Sequence, residues 1–426
     1  MKALVLRGAA LLLAVLALCI LSNIAAFLVD TPQMRESVWQ GCLMLGEQQS
    51  TPQHVGGFLS SQLDNYTGVL ILKTAGYVGN QSLLEKAFGG FRVDMLAQAG
   101  QTDWEAFCNY EFWQEGVAGS PISYSRYWHG YTLALRLLLS VLDVANLQML
   151  MYFVQTVLML AVLHLLGRRG LRDLIPGFFL AYFLMMPFSS SICLQYMPVS
   201  MLMLAACICL LLADERIICT VSLPVFFAML GVLTNYLDLL TFPMVSLGFP
   251  LVMAQALALR RGESATRLFG MTALCGVSWA LGYGLMWALK WVLTACVFGP
   301  DVLGSIFYQI GLRTSDNAGS ISRLSVLMQN LNVLLAKKSY LLIIGMTGLA
   351  VIARPAKAIV LRNGLRMDWR ALNLLLPAAA VCLWYFVMAN HSFDHTYFTY
   401  RNAAVMVFSG FSFLACMPAP KRGERA

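Results

Sequence analysis

Charge is what this chain has least of. Only 12% of its 426 residues are Asp, Glu, Lys or Arg, about half the share of an ordinary soluble domain. Too little polar surface remains to coat a water-soluble globule. The marks of nucleotide and hydrolase chemistry are also missing. There is no P-loop, no GxGxxG opening a helix after a strand, no GxSxG and no HExxH. The ten-residue alternating segments of a membrane β-barrel are absent too. The net charge of +8 carries no nucleic-acid signal, because its information lies in where the charges fall.

What is present is oil. Hydrophobic residues make up 59% of the chain, and many runs approach the ~18–20 apolar residues that cross a hydrocarbon core. The expected fold is an all-α, polytopic membrane helix bundle of about ten spans. Residues 1–29 form an uncleaved N-terminal anchor, its apolar run Gly8–Val29 preceded by Lys2 and Arg7. That run is longer than a signal-peptide core. Residues 30–130 form a long extracytoplasmic region, with ten acidic and five basic side chains between Asp30 and Gly130. Its recurring Trp, Tyr and Phe suit segments lying on a membrane interface. Residues 131–426 form the bundle. Its spans begin near Leu147, Leu174, Pro198, Ile217, Leu240, Leu268, Tyr340, Ala371 and Asn402. Tyr131–Leu142 is too short to cross. Residues 268–298 read either as one tilted span or as a span plus an interfacial helix.

Charge tests this topology. The loops assigned to the inside hold 17 of the 29 basic residues and 6 of the 21 acidic ones. Positive loops face the cytoplasm, so both termini are expected there. Of the eleven cysteines, most lie in apolar runs and read as small buried hydrophobes. Cys42 and Cys108 fall in the polar segment, where an oxidising compartment would allow them to pair.

The unusual polar residues gather on the outer side. "SQLDNYTG" offers Asp64 and Asn65, and "DWEAFCNYEFWQE" offers Asp103, Glu105, Glu111 and Glu115. "SYSRYWHGY" offers Arg126 and His129, and Arg136 follows inside a short apolar run. Asp238 sits in a tight turn, Lys290 in an apolar setting, and "LRTSDN" adds Arg313 and Asp316. "NHSFDHTYFTYR", between two apolar stretches, adds His391, Asp394, His395 and Arg401. Taken singly, most have a plain structural role: Asp238 as a helix cap, Arg126 and Arg401 as interface anchors, the aromatics near His129 as a belt. Arg136 and Lys290 resist that treatment, because a charge at membrane depth costs at least ~2.5–3.5 kcal/mol unless paired or wet. His391, His395 and Asp394 could ligate a metal, but no further ligand is near in sequence. No metal or other cofactor is expected, and binding of a phosphate or sugar is the better role.

A first span, a long outer loop bearing an acid, and a many-helix bundle with short spans and an arginine-rich outer face together resemble the GT-C superfamily. These are integral membrane glycosyltransferases that use polyprenyl-phosphate-linked sugars. The resemblance implies transfer of a sugar from such a donor to an extracytoplasmic glycan or lipid acceptor, in the plasma (inner) membrane of a bacterium. Asp64 in "LDNYTG" would be the catalytic carboxylate, acting as base on the acceptor hydroxyl, with Asp103 or Glu105 as alternatives. Asn65, Arg126, His129, Arg136, Asp238, Lys290, His391, His395 and Arg401 would bind substrate. The partners implied are the lipid-linked sugar, membrane lipid and the acceptor, with no nucleic acid. The competing expectations are a transporter or flippase of a lipid-linked or anionic substrate, and a non-enzymatic membrane assembly subunit.

Overall fold

The structure, a computed structural model, describes residues 2–94, 97, 100–109, 121–213, 222–317, 319–360 and 365–420. It is helical almost throughout. Two pairs of short antiparallel strands are the only sheet among the described residues, Arg92–Val93 with Pro121–Ile122 and Leu365–Met367 with Pro418–Pro420. Four helical segments are long and apolar enough to cross a membrane: Leu6–Ala26, Val144–Arg168, Ala265–Phe298 and Trp369–Val387. A fifth candidate is a broken pair, Arg323–Leu335 and Lys338–Ala353, bent by 83°. The chain is therefore built as an integral membrane helix protein.

Shorter apolar helices fill the space between these long ones: Ile175–Leu184, Met197–Leu212, Ser222–Leu237, Met244–Arg260 and Ala403–Cys416. Met244–Arg260 is the central one. Every residue from Met244 to Leu259 is buried, and such a helix must be apolar all round. Pro250 lies inside it, where surrounding helices absorb the lost hydrogen bond. Ser222–Leu237 and Ala265–Phe298 touch backbone to backbone at Gly231 and Gly282. A Cβ at either glycine would strike the carbonyl oxygen of Trp279 or Ala228. Small residues allow such close helix approach in membranes.

Residues 268–298 lie in a single helix, Ala265–Phe298, so no interfacial break interrupts them. The short run after Tyr131 is the eight-residue helix Thr132–Leu139. The expected start near Ile217 falls outside the described residues, as do Glu111, Glu115, Arg216 and Lys421.

Two ends of the bundle can be recognised from contacts. At one end, Arg169 donates to the carbonyls of Leu211 and Ala213. There Arg260 donates to Gly170 O, Arg370 to Glu263 O, and Asp368 N to Met417 O. We call this the arginine end. At the other, the segment Leu59–Asp64 meets the linkers between the spans. Ser60 Oγ lies 2.7 Å from Tyr340 Oη, and Ser60 O accepts from Tyr400 Oη at 3.0 Å. Tyr196 Oη donates to Gln62 O at 3.4 Å. We call this the Asp64 end. The helix Val144–Arg168 has 25 residues and rises roughly 37 Å, which sets the order of their separation.

Candidate functional site

Asp64 is placed by local chemistry first. It is the N-cap of helix Asn65–Gly76 and accepts from Thr67 N at 2.8 Å and Thr67 Oγ1 at 2.9 Å. A carboxylate in this position satisfies a free helix N–H and faces the positive end of the helix dipole. Tertiary structure then adds Tyr397, whose hydroxyl donates to Asp64 Oδ2 at 3.1 Å across 333 positions of sequence. Oδ1 takes one of these hydrogen bonds and Oδ2 two. A carboxylate offers about four lone-pair positions, so among the described residues Oδ1 retains one. Burial holds the Asp64 carboxyl above the ordinary carboxylate range, although Thr67, Tyr397 and nearby His395 pull the other way.

The stretch 390–401 is not a plain loop. It folds into two short helices, Ala389–Asp394 and Thr396–Thr399, and turns straight into the last helix. The rings of His391 and His395 lie 4.9 Å apart. His391 Nε2 is 2.7 Å from Leu240 O, and its Nδ1 is 3.0 Å from an Arg313 guanidinium nitrogen. A carbonyl only accepts and a guanidinium only donates. His391 must therefore carry its proton on Nε2 and accept on Nδ1, in the neutral form. Burial, and then the charge of Arg313, pushes its pKa well below the usual histidine value. His395 is lowered for the same leading reason, with Asp64 and Asp394 acting against it. Its ring stacks on Phe398. Asp394 is exposed while His391 is buried, so these side chains do not share one environment. Among the described residues no three His, Cys, Asp or Glu side chains form a metal-ligand group.

The linkers around this cluster carry backbone strain. Four non-glycine residues have positive φ among the described residues: His129, Met186, Leu240 and Asn317. Each conformation costs of order 1–3 kcal/mol unless its surroundings impose it. Each lies in a linker held by its neighbours. Tyr236 O accepts from Gly130 N, and Met185 O accepts from Arg401 Nε at 2.9 Å. Leu240 O accepts from His391, and Asn317 Nδ2 donates to Asn390 at 3.0 Å.

The other expected residues divide into two groups. Arg126 and Asp238 lie near the cluster: both act electrostatically on buried Tyr127, as Arg313 does. Arg126 lies over the Tyr124 ring at 4.9 Å, and its Nε is buried without a hydrogen-bond partner among the described residues. Arg313 lies over Tyr127 at 5.8 Å. Asp238 is buried, and Thr241 N and Thr241 Oγ1 both donate to it. Burial raises its carboxyl to about 7. The second group holds the architecture together. Arg401 is wholly buried and donates to Met185 O, Tyr397 O and Ser60 O at 2.9, 3.0 and 3.2 Å. It also lies 4.4 Å from the Tyr196 ring centroid. Arg136 donates to the carbonyls of Ala75, Ala26, Val29 and Tyr77. Lys290 donates to Phe88 O at 2.8 Å and lies 5.3 Å and 5.5 Å from the Phe88 and Trp128 rings.

His129 bonds Tyr131 Oη at 2.7 Å and Tyr124 O at 3.1 Å, and burial lowers its pKa to about 3. Asn65 donates to Gln48 Oε1 and Gln49 O. Asp103 and Glu105 are exposed in the first turn of helix Asp103–Cys108, where Glu105 closes a capping box with Thr102. Nothing among the described contacts joins them to Asp64.

The roles of two contributors emerge only in three dimensions. Tyr397 lies inside "NHSFDHTYFTYR", yet a tyrosine among aromatics gives no sign that its hydroxyl meets a distant carboxylate. Arg313 has a weak sequence signal, a lone cation at the end of an amphipathic helix, Val302–Thr314. Two apolar hollows of about 420 and 410 Å³ flank the Val144–Arg168 helix, one beside Tyr131 and Met197, the other beside Gln155 and Pro187. Comparison with family models, curated proteins and solved structures gives no match.

Proposed function

We propose that the chain is a membrane glycosyltransferase that moves a sugar from a polyprenyl-phosphate donor to an acceptor at the non-cytosolic face, with Asp64 as the general base. The observation that carries this reading is the meeting of Asp64 with Tyr397 and His395, beside His391 and Arg313, at one end of the bundle. Four or five helical segments are long and apolar enough to cross a membrane; in this reading ten segments alternate between the two ends, with cytoplasmic termini and an outward Asp64 end. They are the N-terminal helix, the eight segments starting near residues 144, 175, 197, 222, 244, 265, 338 and 369, and the last helix.

The reaction needs three things from the protein. The acceptor hydroxyl needs a base within hydrogen-bond reach, and Oδ1 of Asp64 keeps a lone pair for it. Its raised pKa makes it a stronger base than an exposed aspartate. The departing phosphate needs cations in a water-poor site, where they act more strongly. Arg126 and Arg313 fit this need better than Arg401, Arg136 and Lys290, whose donors face backbone carbonyls. The lipid tail needs an apolar bed, which the two hollows beside Val144–Arg168 provide. No step requires a metal.

The test is sugar transfer by purified protein in detergent or nanodiscs, with radiolabelled polyprenyl-phosphate sugars and lipid or glycan acceptors. Transfer that vanishes in Asp64→Asn supports the reading. A protein that binds or moves the lipid-linked sugar across a vesicle without transferring it sinks the reading and favours a flippase.

A further inference from the structure

We propose that Cys42 and Cys108 form a disulfide that staples helix Asp103–Cys108 onto helix Pro32–Gly46. Cys42 and Gly46 are one helical turn apart and share a face, with Cβ positions of such pairs about 5–6 Å apart. The Cys108 side chain sits over Gly46: a Cβ built there would come within 2.8 Å of Cys108 Cβ and 3.3 Å of its Sγ. Glycine at 46 is what lets Cys108 approach. Both cysteines are free, buried thiols in the structure; Cys108 packs on the position one helical turn from Cys42, and the bond requires it to move along the groove to the ~3.5–4.5 Å Cβ spacing of a disulfide.

The Trp104 indole ties Asp103–Cys108 to the end of Pro32–Gly46, and Lys73 of helix Asn65–Gly76 holds it from the other side. Trp104 Nε1 donates to Gly46 O at 3.2 Å and Gln48 O at 2.8 Å. Lys73 Nζ, wholly buried, donates to Phe107 O at 2.9 Å and pairs with Asp94 at 3.0 Å. Its charge acts on both thiols. Cys42 and Cys108 are buried in one apolar cluster with Val38, Leu45 and Ile71.

As free thiols they are inert, because burial pushes Cys108 up to about 12 and Cys42 higher still. The bond must then form while the segment folds, before the second helix docks. The thiolate of one cysteine attacks a disulfide of an extracytoplasmic thiol–disulfide oxidoreductase, giving a mixed disulfide. The other cysteine displaces the oxidoreductase, which leaves as a dithiol, and the two protons the cysteines lose pass, through water, to its two thiols. This inference rests on the reading that residues 30–130 lie outside the cytosol.

The test is acid quenching of whole cells, alkylation, and peptide mass spectrometry without reduction. One linked peptide containing Cys42 and Cys108, absent in Cys42→Ser and Cys108→Ser, supports the proposal. Two alkylated thiols overturn it, and purified protein treated with diamide then says why. Linkage by diamide means that the pair is well placed but faces a reducing compartment, so the sidedness behind the transferase reading falls too. No linkage means that the geometry itself fails, which leaves the transferase reading intact.

Discussion

At the Asp64 end of the bundle, Arg313 donates to a ring nitrogen of buried His391. At the arginine end, Arg260 reaches Asp173 at 3.5 Å with both side chains about two-fifths exposed. The arginine end satisfies its cations with carbonyls at helix C-termini and with exposed carboxylates, in water. Cations there complement helix dipoles for a few tenths to ~1 kcal/mol each. The Asp64 end places two carboxyls, three histidines and the cations Arg126 and Arg313 in partly dry linkers with strained turns. Charges there interact through a lower dielectric, so each change has a larger effect. The difference is between polar groups that anchor a helix end and polar groups poised to do chemistry.

The largest expected effect comes from Asp64→Asn. Asparagine caps a helix about as well as aspartate, so expression and thermal stability should hold. Transfer should fall by about 10²–10⁴, the contribution of a positioned base. Unchanged turnover in the purified variant would remove Asp64 from the mechanism.

Arginine replacements sharpen the contrast inside the Asp64 end. Arg401→Met removes the one side chain that ties Met185 O, Tyr397 O and Ser60 O together, and loss of a buried hydrogen-bonded charge costs about 3–5 kcal/mol. It should appear as low yield and a lowered Tm. Arg313→Gln is half-buried at a linker and should fold. It should lose about 10²-fold in kcat/KM, as removal of one anion-stabilising donor does. An Arg313→Gln that fails to fold, or an Arg401→Met of normal Tm, would reverse the two roles.

pH separates the ends next. Asp64 titrates above the ordinary carboxylate value, so activity should fall with acid at a higher pH than for an exposed aspartate. Stability carries two opposite signs. Folded Asp64 holds its proton where the unfolded chain has lost it, so this group removes stability as pH rises from about 4 through its raised pKa. His391, His395 and His129 are held neutral. The unfolded chain therefore takes up protons that the fold refuses, and stability falls as pH drops below about 6.5. Asp238, raised to about 7 by burial, acts with the same sign as Asp64. Thermal unfolding across this range should show both slopes, and the first should weaken in Asp64→Asn.

The smallest effect belongs to the arginine end. Asp173→Asn removes an exposed ion pair worth ~1 kcal/mol or less. Its Tm shift should be slight and should shrink further in high salt, with sugar transfer unchanged. A loss of transfer would break the division between the two ends.

Much of the helical architecture can be read along the chain. Residue runs such as Leu147–Leu166 or Val245–Leu259 have no place except inside oil, whatever their neighbours. The short helix after Tyr131 and the tight turn at Asp238 are legible for the same reason, since length and turn chemistry are local. The candidate site is legible only in part. "NHSFDHTYFTYR" announces itself because polar residues interrupt two apolar stretches. The uses of its members do not, because a buried arginine can hold a phosphate or three carbonyls, and residue type favours neither.

The sequence by itself determined that this chain is a helical membrane protein, since hydropathy, helix propensity and capping act over a few residues. Only the tertiary structure decided that Tyr397 meets Asp64 and that Arg401 is tied to Ser60 rather than left open to a ligand. Those partners lie more than three hundred positions apart, and what joins them is the packing of the helices between them, on which no local pattern reports.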